Sequence, residues 1–328
     1  MKLKKKIKII GEAGINHDGS FKKAMKLINQ GSKAGVDFVK FQLFDTREFI
    51  NKNYFHNKVN YHKVFKRFRS LEFSLAQWKK LINFGKRKGV KIFFSIFETK
   101  SLLILKKLRI NLVKIPSGEV TNIPLLTEIN KLRLNVILST GMCSFKEIHS
   151  ALKVLKNSKI TIMHCVSEYP ATRPSLNNIL LLKEKFKKKV GYSDHTSDIL
   201  TPALSVMAGA EIIEKHFTLS KKNIGDHKFS LLPNDLKNMV RYIRQSEISF
   251  GSKNNRIISS KEKKLKFFAR KGLYAKKDIV KNQIIKLKDI AILRPEGPTK
   301  VSELKKILNK KPKKNIKKGQ AINKFLLR

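Results

Sequence analysis

Two apolar patterns alternate along this chain. Short, nearly continuous apolar runs recur at Ile7–Gly11, Val36–Gln42, Val90–Ser95, Asn111–Ile115, Asn135–Ser139, Ile160–Cys165, Val190–Ser193 and Glu211–His216. Runs of this length, rich in Val, Ile and Phe, predict strands buried on both faces. Between them lie segments with apolar residues at helical spacing, near Phe21–Lys33, Leu75–Lys88, Lys100–Leu108, Ile123–Leu132, Ser144–Leu155 and Leu176–Phe186, with a last one at Asp235–Glu247. Between the last two strands, Leu200, Leu204, Val206 and Met207 mark one more helix. Several ends carry local signals. Ser20 caps the first helix and Gly35 ends it, while Ser144 followed by Glu147 makes a capping box. Residues 45–72 are rich in aromatics and His; they have no clear assignment and are expected to cover the top of a site.

Eight strands, each followed by a helix, predict an α/β fold: a parallel sheet closed into a (β/α)8 TIM barrel. An open doubly wound sheet is the alternative, and it usually carries a glycine-rich phosphate loop. Neither GxGxxG nor GxxxxGK[ST] occurs here. After Ser249 the texture changes. The expected organisation is a barrel over residues 1–250, a polar, basic linker over 251–268, and a small, mostly β domain over 269–328.

Composition adjusts this picture in three ways. The net charge of +48 suggests nucleic acid at first sight. It is built from 59 Lys against 13 Arg, however, and the Lys are spread along the whole chain. Base readers favour Arg with interleaved aromatics, so no specific nucleic-acid partner is expected, only nonspecific adhesion at low salt. No apolar run reaches the ~18 residues of a membrane span, and Ile7–Ile10 is too short for a signal peptide. The chain therefore reads as cytoplasmic, with no membrane partner. The two cysteines, Cys143 and Cys165, form no CxxC or zinc pattern and fit a reducing compartment.

A barrel places its active site at the C-terminal ends of its strands. There the sequence puts Glu12, Lys40, Gln42, Ser95, Lys114, Ser117, Glu119, Ser139, Thr140, Ser167, Glu168, Tyr169, Ser193, His195, Lys215 and His216. Lys40 and Lys114 are embedded between apolar neighbours, and an ammonium there needs a partner. Two lysines with several hydroxyls can hold a phosphate dianion. His195 and His216 end neighbouring strands and can share a divalent metal, although two separately hydrogen-bonded histidines would show the same spacing. His164 and His17 read as structural, whereas His227, beside Asp226, lies within reach of the mouth.

The ordered motifs EAGINHDGS, VKFQ, KIPSGE, LSTGM, HCVSEYPA, GYSDHT, EKHFTL and DHKFSL, followed by ARKGLYAKKDI and RP, resemble the bacterial sialic acid synthases over nearly the whole chain. That family includes the N-acetylneuraminate and legionaminic acid synthases, and its C-terminal part is the antifreeze-like (SAF) domain. The resemblance implies a transferase that condenses phosphoenolpyruvate with an N-acetylated mannosamine-type aldose, using water and releasing phosphate. By position it implies His195 and His216 as ligands of Mn2+ or Mg2+. Lys40, Gln42, Lys114, Ser117, Ser139, Ser167 and Ser193 would hold phosphoenolpyruvate, with Glu12 and Glu119 as catalytic carboxylates. Tyr169 and Asp226 would face the aldose. Arg294 would reach its N-acyl group from the partner subunit of a domain-swapped homodimer. A synthase acting on a phosphorylated sugar, of the 9-phosphate or 3-deoxy-octulosonate 8-phosphate type, is the near alternative. Three places depart from the family pattern: Ser95-Ile96-Phe97 where STPF is common, Ile224-Gly225-Asp226-His227 where GPDH is common, and Arg294-Pro295-Glu296-Gly297 where RPGxG is common.

Overall fold

A computed structural model describes residues 6–51, 53, 55–56, 59–222, 225–251 and 258–328. Eight parallel strands close into a barrel: β1 (Lys8–Gly14), β2 (Phe38–Leu43), β3 (Lys91–Ile96), β4 (Leu112–Ile115), β5 (Asn135–Ser139), β6 (Lys159–His164), β7 (Lys189–Asp194) and β8 (Ile212–His216). Each pairs with its sequence neighbours, and β8 closes on β1 with Lys8 opposite Ile212 and Glu12 opposite His216. The expected strands are all present. The largest shift is in β1, which runs on past Gly11 and carries Glu12 inside the ladder.

The helices surround the barrel because each has one apolar side. Helix Phe21–Ala34 starts at Ser20, whose side chain accepts from the Lys23 N–H, and ends at Gly35 with φ 85°. Its Gly31 faces β2 so closely that a Cβ would lie 2.6 Å from Val39 Cγ2. The capping box of Ser144 and Glu147 forms as expected. Helix Thr201–Met207 forms between the last two strands, as expected. Its buried side is Thr201, Pro202, Ala203, Ser205 and Val206, while Leu200, Leu204 and Met207 are exposed. Small side chains let this short helix lie close to the sheet, and the leucines fall on its outer side.

Residues 45–72 hold helices Thr46–Phe49 and Tyr61–Arg69 and a short hairpin pairing Phe55–His56 with Val59–Asn60. The segment expected as linker contains a helix, Ser260–Ala269, started by a capping box of Ser259 and Glu262. Contact clustering divides the chain into two compact units, Met1–Gly251 and Ser252–Arg328. The second has its own core of Leu273, Ile279, Ile285, Ile290, Ile307, Ile316 and Ile322, around antiparallel strands β9 (Gly272–Ala275) and β10 (Ile290–Leu293). Among the described residues, no helix is long and apolar enough to cross a membrane.

Inside the barrel the period of two along each strand builds layers. The lowest is an apolar plug of Ile10, Phe93, Ile137 and Met163, with Phe38, Leu112 and Ile212 against it. Gly191 belongs to this level, and a Cβ there would collide with the Met163 sulfur. Outside the strands, Trp78 packs edge-on against Phe73 and Phe94 and also meets Phe41 and His17. This cluster fixes helix Leu75–Arg87 to β2 and β3. Trp78→Ala is expected to destabilise the fold by about 3–5 kcal/mol, measured by urea unfolding with the folded-state spectrum retained.

Candidate active site

Two residues further up each strand, the interior turns polar. Glu12, Lys40, Ser95, Lys114, Ser139, Cys165, Ser193 and Glu214 line the floor of a cavity of about 610 Å³. Above them stand Gln42, Phe97, Pro116, Ser117, Ser167, His195 and His216, with Tyr169, Asp226, Lys228 and Phe229 on the wall. The alternation that made the plug therefore also makes the site. Residues at positions 10, 38, 112 and 212 are plug, and those two further on are floor.

Charge on the floor is balanced pairwise. Lys40 Nζ lies 2.6 Å from Glu12 Oε2 and 3.8 Å from Glu214 Oε2, and it donates to Ser95 Oγ at 2.6 Å. Lys114 Nζ donates to Glu214 Oε1 at 2.6 Å, and Ser193 Oγ donates to the same oxygen at 3.0 Å. All four charged side chains are at most 4% exposed. The two carboxylates then diverge. Burial, reinforced by Glu214 and opposed by Lys40, pushes Glu12 up to about 7. Glu214 is equally buried, but Lys114 and Lys40 together outweigh that and hold it well below the usual carboxylate range. Burial pulls Lys114 down.

At the mouth the two histidine rings are 5.8 Å apart between centroids. His195 Nδ1 bonds to the Val166 carbonyl at 2.6 Å, an arrangement in which it is the donor and Nε2 keeps a free lone pair. His216 Nδ1 is buried with no hydrogen-bond partner, and Asp226 Oδ2 stands 4.0 Å away. Burial pulls both rings toward the neutral form, His216 furthest because His195 and Lys40 add to the effect. Neutral imidazoles, one with an orphaned nitrogen, fit a divalent cation. Among the described residues no group of three or more metal-ligating side chains is assembled. A cation held here would therefore keep open positions for water or substrate oxygens. Tyr169 stacks on His195 at 4.2 Å and on Phe229 at 4.7 Å, giving the rim an aromatic edge.

The side of the cavity formed by Ser117, Gly141, Cys165 and Ser167 is close-packed. Gly141 N–H donates to Ser117 Oγ at 3.0 Å and to Cys165 Sγ at 3.2 Å, and a Cβ at Gly141 would collide with Ser167 Oγ. Asp226 is pushed up by burial, and its loop is tied down by its neighbour. His227 bonds to Thr218 Oγ1 at 2.6 Å and to Asp18 Oδ1 at 3.0 Å.

Of the residues expected from the sequence, Glu12, Lys40, Gln42, Lys114, Ser117, Ser139, Ser167, Tyr169, Ser193, His195, His216 and Asp226 line one cavity. Glu119 does not; it sits on the 3-10 turn Ser117–Glu119, where its carboxylate accepts from Asn122 Nδ2 at 2.7 Å. His227 is absent from the lining and acts as a loop tie. Lys215 points away from the mouth into an ion pair with Asp194. Arg294 lies in the second unit, exposed. Ile96 packs in the outer core while Ser95 and Phe97 face the cavity; Ile224 lies outside the described residues. Glu214, Cys165, Lys228 and Phe229 line the cavity without having been expected there, and Glu214 carries the largest consequence. Strict alternation in Ile212-Ile213-Glu214-Lys215-His216 places Glu214 beside His216 and Lys215 opposite, and that was the available signal.

A barrel with a buried, charge-paired floor and a histidine pair at its C-terminal mouth has the form of a TIM-barrel enzyme. Comparison with known proteins narrows the class. Residues 27–255 match the NeuB family and residues 270–324 match the SAF domain. N,N'-diacetyllegionaminic acid synthase from Campylobacter jejuni is 38% identical over 332 residues, covering 97% of this chain and 99% of that protein. The protein of the same name from Legionella pneumophila is 33% identical, covering 96% and 92%. The crystal structure of N-acetylneuraminic acid (sialic acid) synthetase from Leptospira borgpetersenii, in complex with citrate, superposes with a TM-score of 0.72 at 30% identity, covering 80% of this chain and 91% of that one. The chain belongs to the NeuB family of sialic acid synthase-type enzymes.

The charge balance gives a direct expectation. Lys114→Met leaves Glu214 with only a distant ammonium, and a loss of about 3–5 kcal/mol of stability is expected. The double variant Lys114→Met/Glu214→Gln should recover most of that loss in chemical denaturation at pH 7.

Proposed function

We propose that this enzyme condenses phosphoenolpyruvate with an N-acetylated aldose and water, releasing phosphate and a nine-carbon 2-keto sugar acid. The observation that carries the reading is the floor, where two buried lysines, a ring of hydroxyls and two carboxylates of opposite pKa shift meet. A 2,4-diacetamido aldose of the legionaminate type is favoured over N-acetylmannosamine. Its support is the near full-length similarity to two proteins named N,N'-diacetyllegionaminic acid synthase.

The residues divide the work as follows. Lys40 and Lys114 neutralise the carboxylate and phosphate of phosphoenolpyruvate, and Gln42, Ser117, Ser139, Ser167 and Ser193 donate hydrogen bonds to their oxygens. The methylene carbon then bonds to the aldehyde carbon, and the carbon–oxygen π bond breaks to an alkoxide. Water adds to the former enol carbon and gives one proton to Glu12, the cavity carboxylate whose pKa is raised, and that proton passes on to the alkoxide, which ends as a hydroxyl. The tetrahedral intermediate collapses to the ketone by breaking its carbon–oxygen bond to phosphate, which leaves with the second proton of the water. His195 and His216 would hold Mn2+ or Mg2+, which supplies Lewis-acid polarisation of the aldehyde oxygen. Tyr169 and Asp226 face the sugar. Arg294 would complete the N-acyl subsite from the partner copy of a homodimer.

The test is phosphate release from phosphoenolpyruvate with a panel of aldoses: 2-acetamido, 2,4-diacetamido, and a 6-phosphorylated form. The free 2,4-diacetamido aldose should react fastest, and chelation should abolish the rate until metal is restored. Because the Glu12 carboxyl keeps its proton up to about 7, kcat/KM should fall as pH drops through that value. In Glu12→Gln the rate should drop ~10²–10⁴-fold and lose this limb. Undiminished turnover without metal, or reaction with the phosphorylated sugar alone, would contradict the reading.

A further inference from the structure

Directly behind the mouth histidines, on the opposite face of the same strands, lies a buried ion pair that the proposed chemistry does not use. Lys215 precedes His216 and Asp194 precedes His195, and Lys215 and Asp194 are Cα partners across β8 and β7. Their side chains are 1% and 0% exposed. We propose that this pair is the positioning device that holds His195 and His216 at metal-sharing geometry; it rests on the reading of the histidines as metal ligands.

The ladder between β7 and β8 stops short of His195. Strand β7 ends at Asp194, and the last β7–β8 partner pair is Asp194 with Lys215. His195 is therefore one residue past the sheet, and no β7–β8 ladder bond fixes it. The Lys215 ammonium takes over. It reaches Asp194 Oδ2, the Thr196 carbonyl, and Thr196 Oγ1 at 3.4 Å, so all three of its protons have acceptors. Asp194 in turn closes a turn around His195. Its Oδ1 accepts from Thr196 N at 3.1 Å and from Tyr192 OH at 2.7 Å, and its Oδ2 accepts from Thr196 Oγ1 at 3.0 Å.

From the cavity side His195 is held by its ring bond to the Val166 carbonyl, and its own carbonyl accepts from Ala171 N at 2.8 Å. The residue is thus pinned in front by the loop after β6 and behind by Lys215. His216, the next residue after that lysine, lies on the same strand as the clamp. One side chain on β8 therefore sets the distance between the two imidazoles.

Stability alone is a poor reason for such a pair. A buried ion pair is often no more stabilising than apolar residues of similar volume, while losing one partner is costly. What the pair does that an apolar contact cannot is reach past the strand end and bond the backbone of Thr196. Outer partners of metal ligands commonly shift affinity ~10–100-fold.

The experiment compares the full-length wild type with Lys215→Met, with the apolar double variant Asp194→Leu/Lys215→Met, and with Asp194→Asn, the near-isosteric change that best preserves the fold. Folding is checked by circular dichroism and urea unfolding. Mn2+ affinity is read from the electron paramagnetic resonance signal of free Mn2+, and phosphoenolpyruvate affinity by calorimetry without metal. The expected result is Mn2+ binding weakened ~10–100-fold in every folded variant, with phosphoenolpyruvate affinity little changed. A folded variant that binds Mn2+ as tightly as the wild type overturns the proposal. So does a parallel loss of phosphoenolpyruvate affinity, which would mean general disruption of the barrel mouth. Absence of Mn2+ binding by the wild type sinks the metal reading itself and this inference with it, an outcome distinct from the other two.

Discussion

The site depends on one carboxylate. Glu214 lies between the two buried lysines, 2.6 Å from Lys114 and 3.8 Å from Lys40. Without it, two ammonium groups would face each other in a space that excludes most water, with Glu12 alone to offset them. Burying an unpaired charge costs several kcal/mol, so one lysine would shed its proton or the floor would open. With it, each lysine has a carboxylate partner at the bottom of the barrel. The same arrangement sends Glu12 in the other direction. Glu214 already satisfies much of the positive field, and its own charge repels a second carboxylate nearby. Two glutamates on one floor thereby differ in acidity, Glu214 held ionised as a counter-charge and Glu12 pushed up to about 7.

This charge pattern sits on an apolar support. The plug of Ile10, Phe93, Ile137 and Met163 puts buried apolar side chains beneath the floor, and the strand pleat converts each plug position into a floor position two residues later. The rim is built differently. Its contributors come from loops, and their order depends on ties such as His227 to Asp18 and Thr218. In the proposed function the floor and the histidine pair would answer for the type of reaction, and the rim, with Tyr169, Asp226, Lys228 and Phe229, for the sugar.

Much of this was legible in the sequence. Eight apolar runs with helical segments between them predict the barrel because parallel strands buried on both faces cannot alternate with polar residues. Lys40 and Lys114 stood out for the same reason, as charges inside such runs. Glu214 did not, because it lay beside Lys215 and the two looked like a polar strand end. Only the register, which puts Glu214 inward and Lys215 outward, separates a catalytic floor from a structural ion pair. Glu119 read as a strand-tip carboxylate, but the 3-10 turn after β4 carries it to Asn122 instead. Leu200, Leu204, Val206 and Met207 mark helix Thr201–Met207 in the sequence, and of these the structure buries Val206 alone. In each case the local pattern named the right residue types, and a rotation set by tertiary packing decided where they face.

The central claim is electrostatic, that two neighbouring glutamates on the barrel floor are driven apart in acidity. The most direct measurement is a carbon-13 titration of protein labelled at the glutamate side-chain carboxyl, with Glu12→Gln and Glu214→Gln used for assignment. The account expects the Glu12 resonance to titrate near pH 7 and the Glu214 resonance to stay ionised well below the pH at which ordinary glutamates take up protons. If both resonances titrated together in the ordinary range, near 4.3, the floor would not be the coupled, buried charge cluster described here.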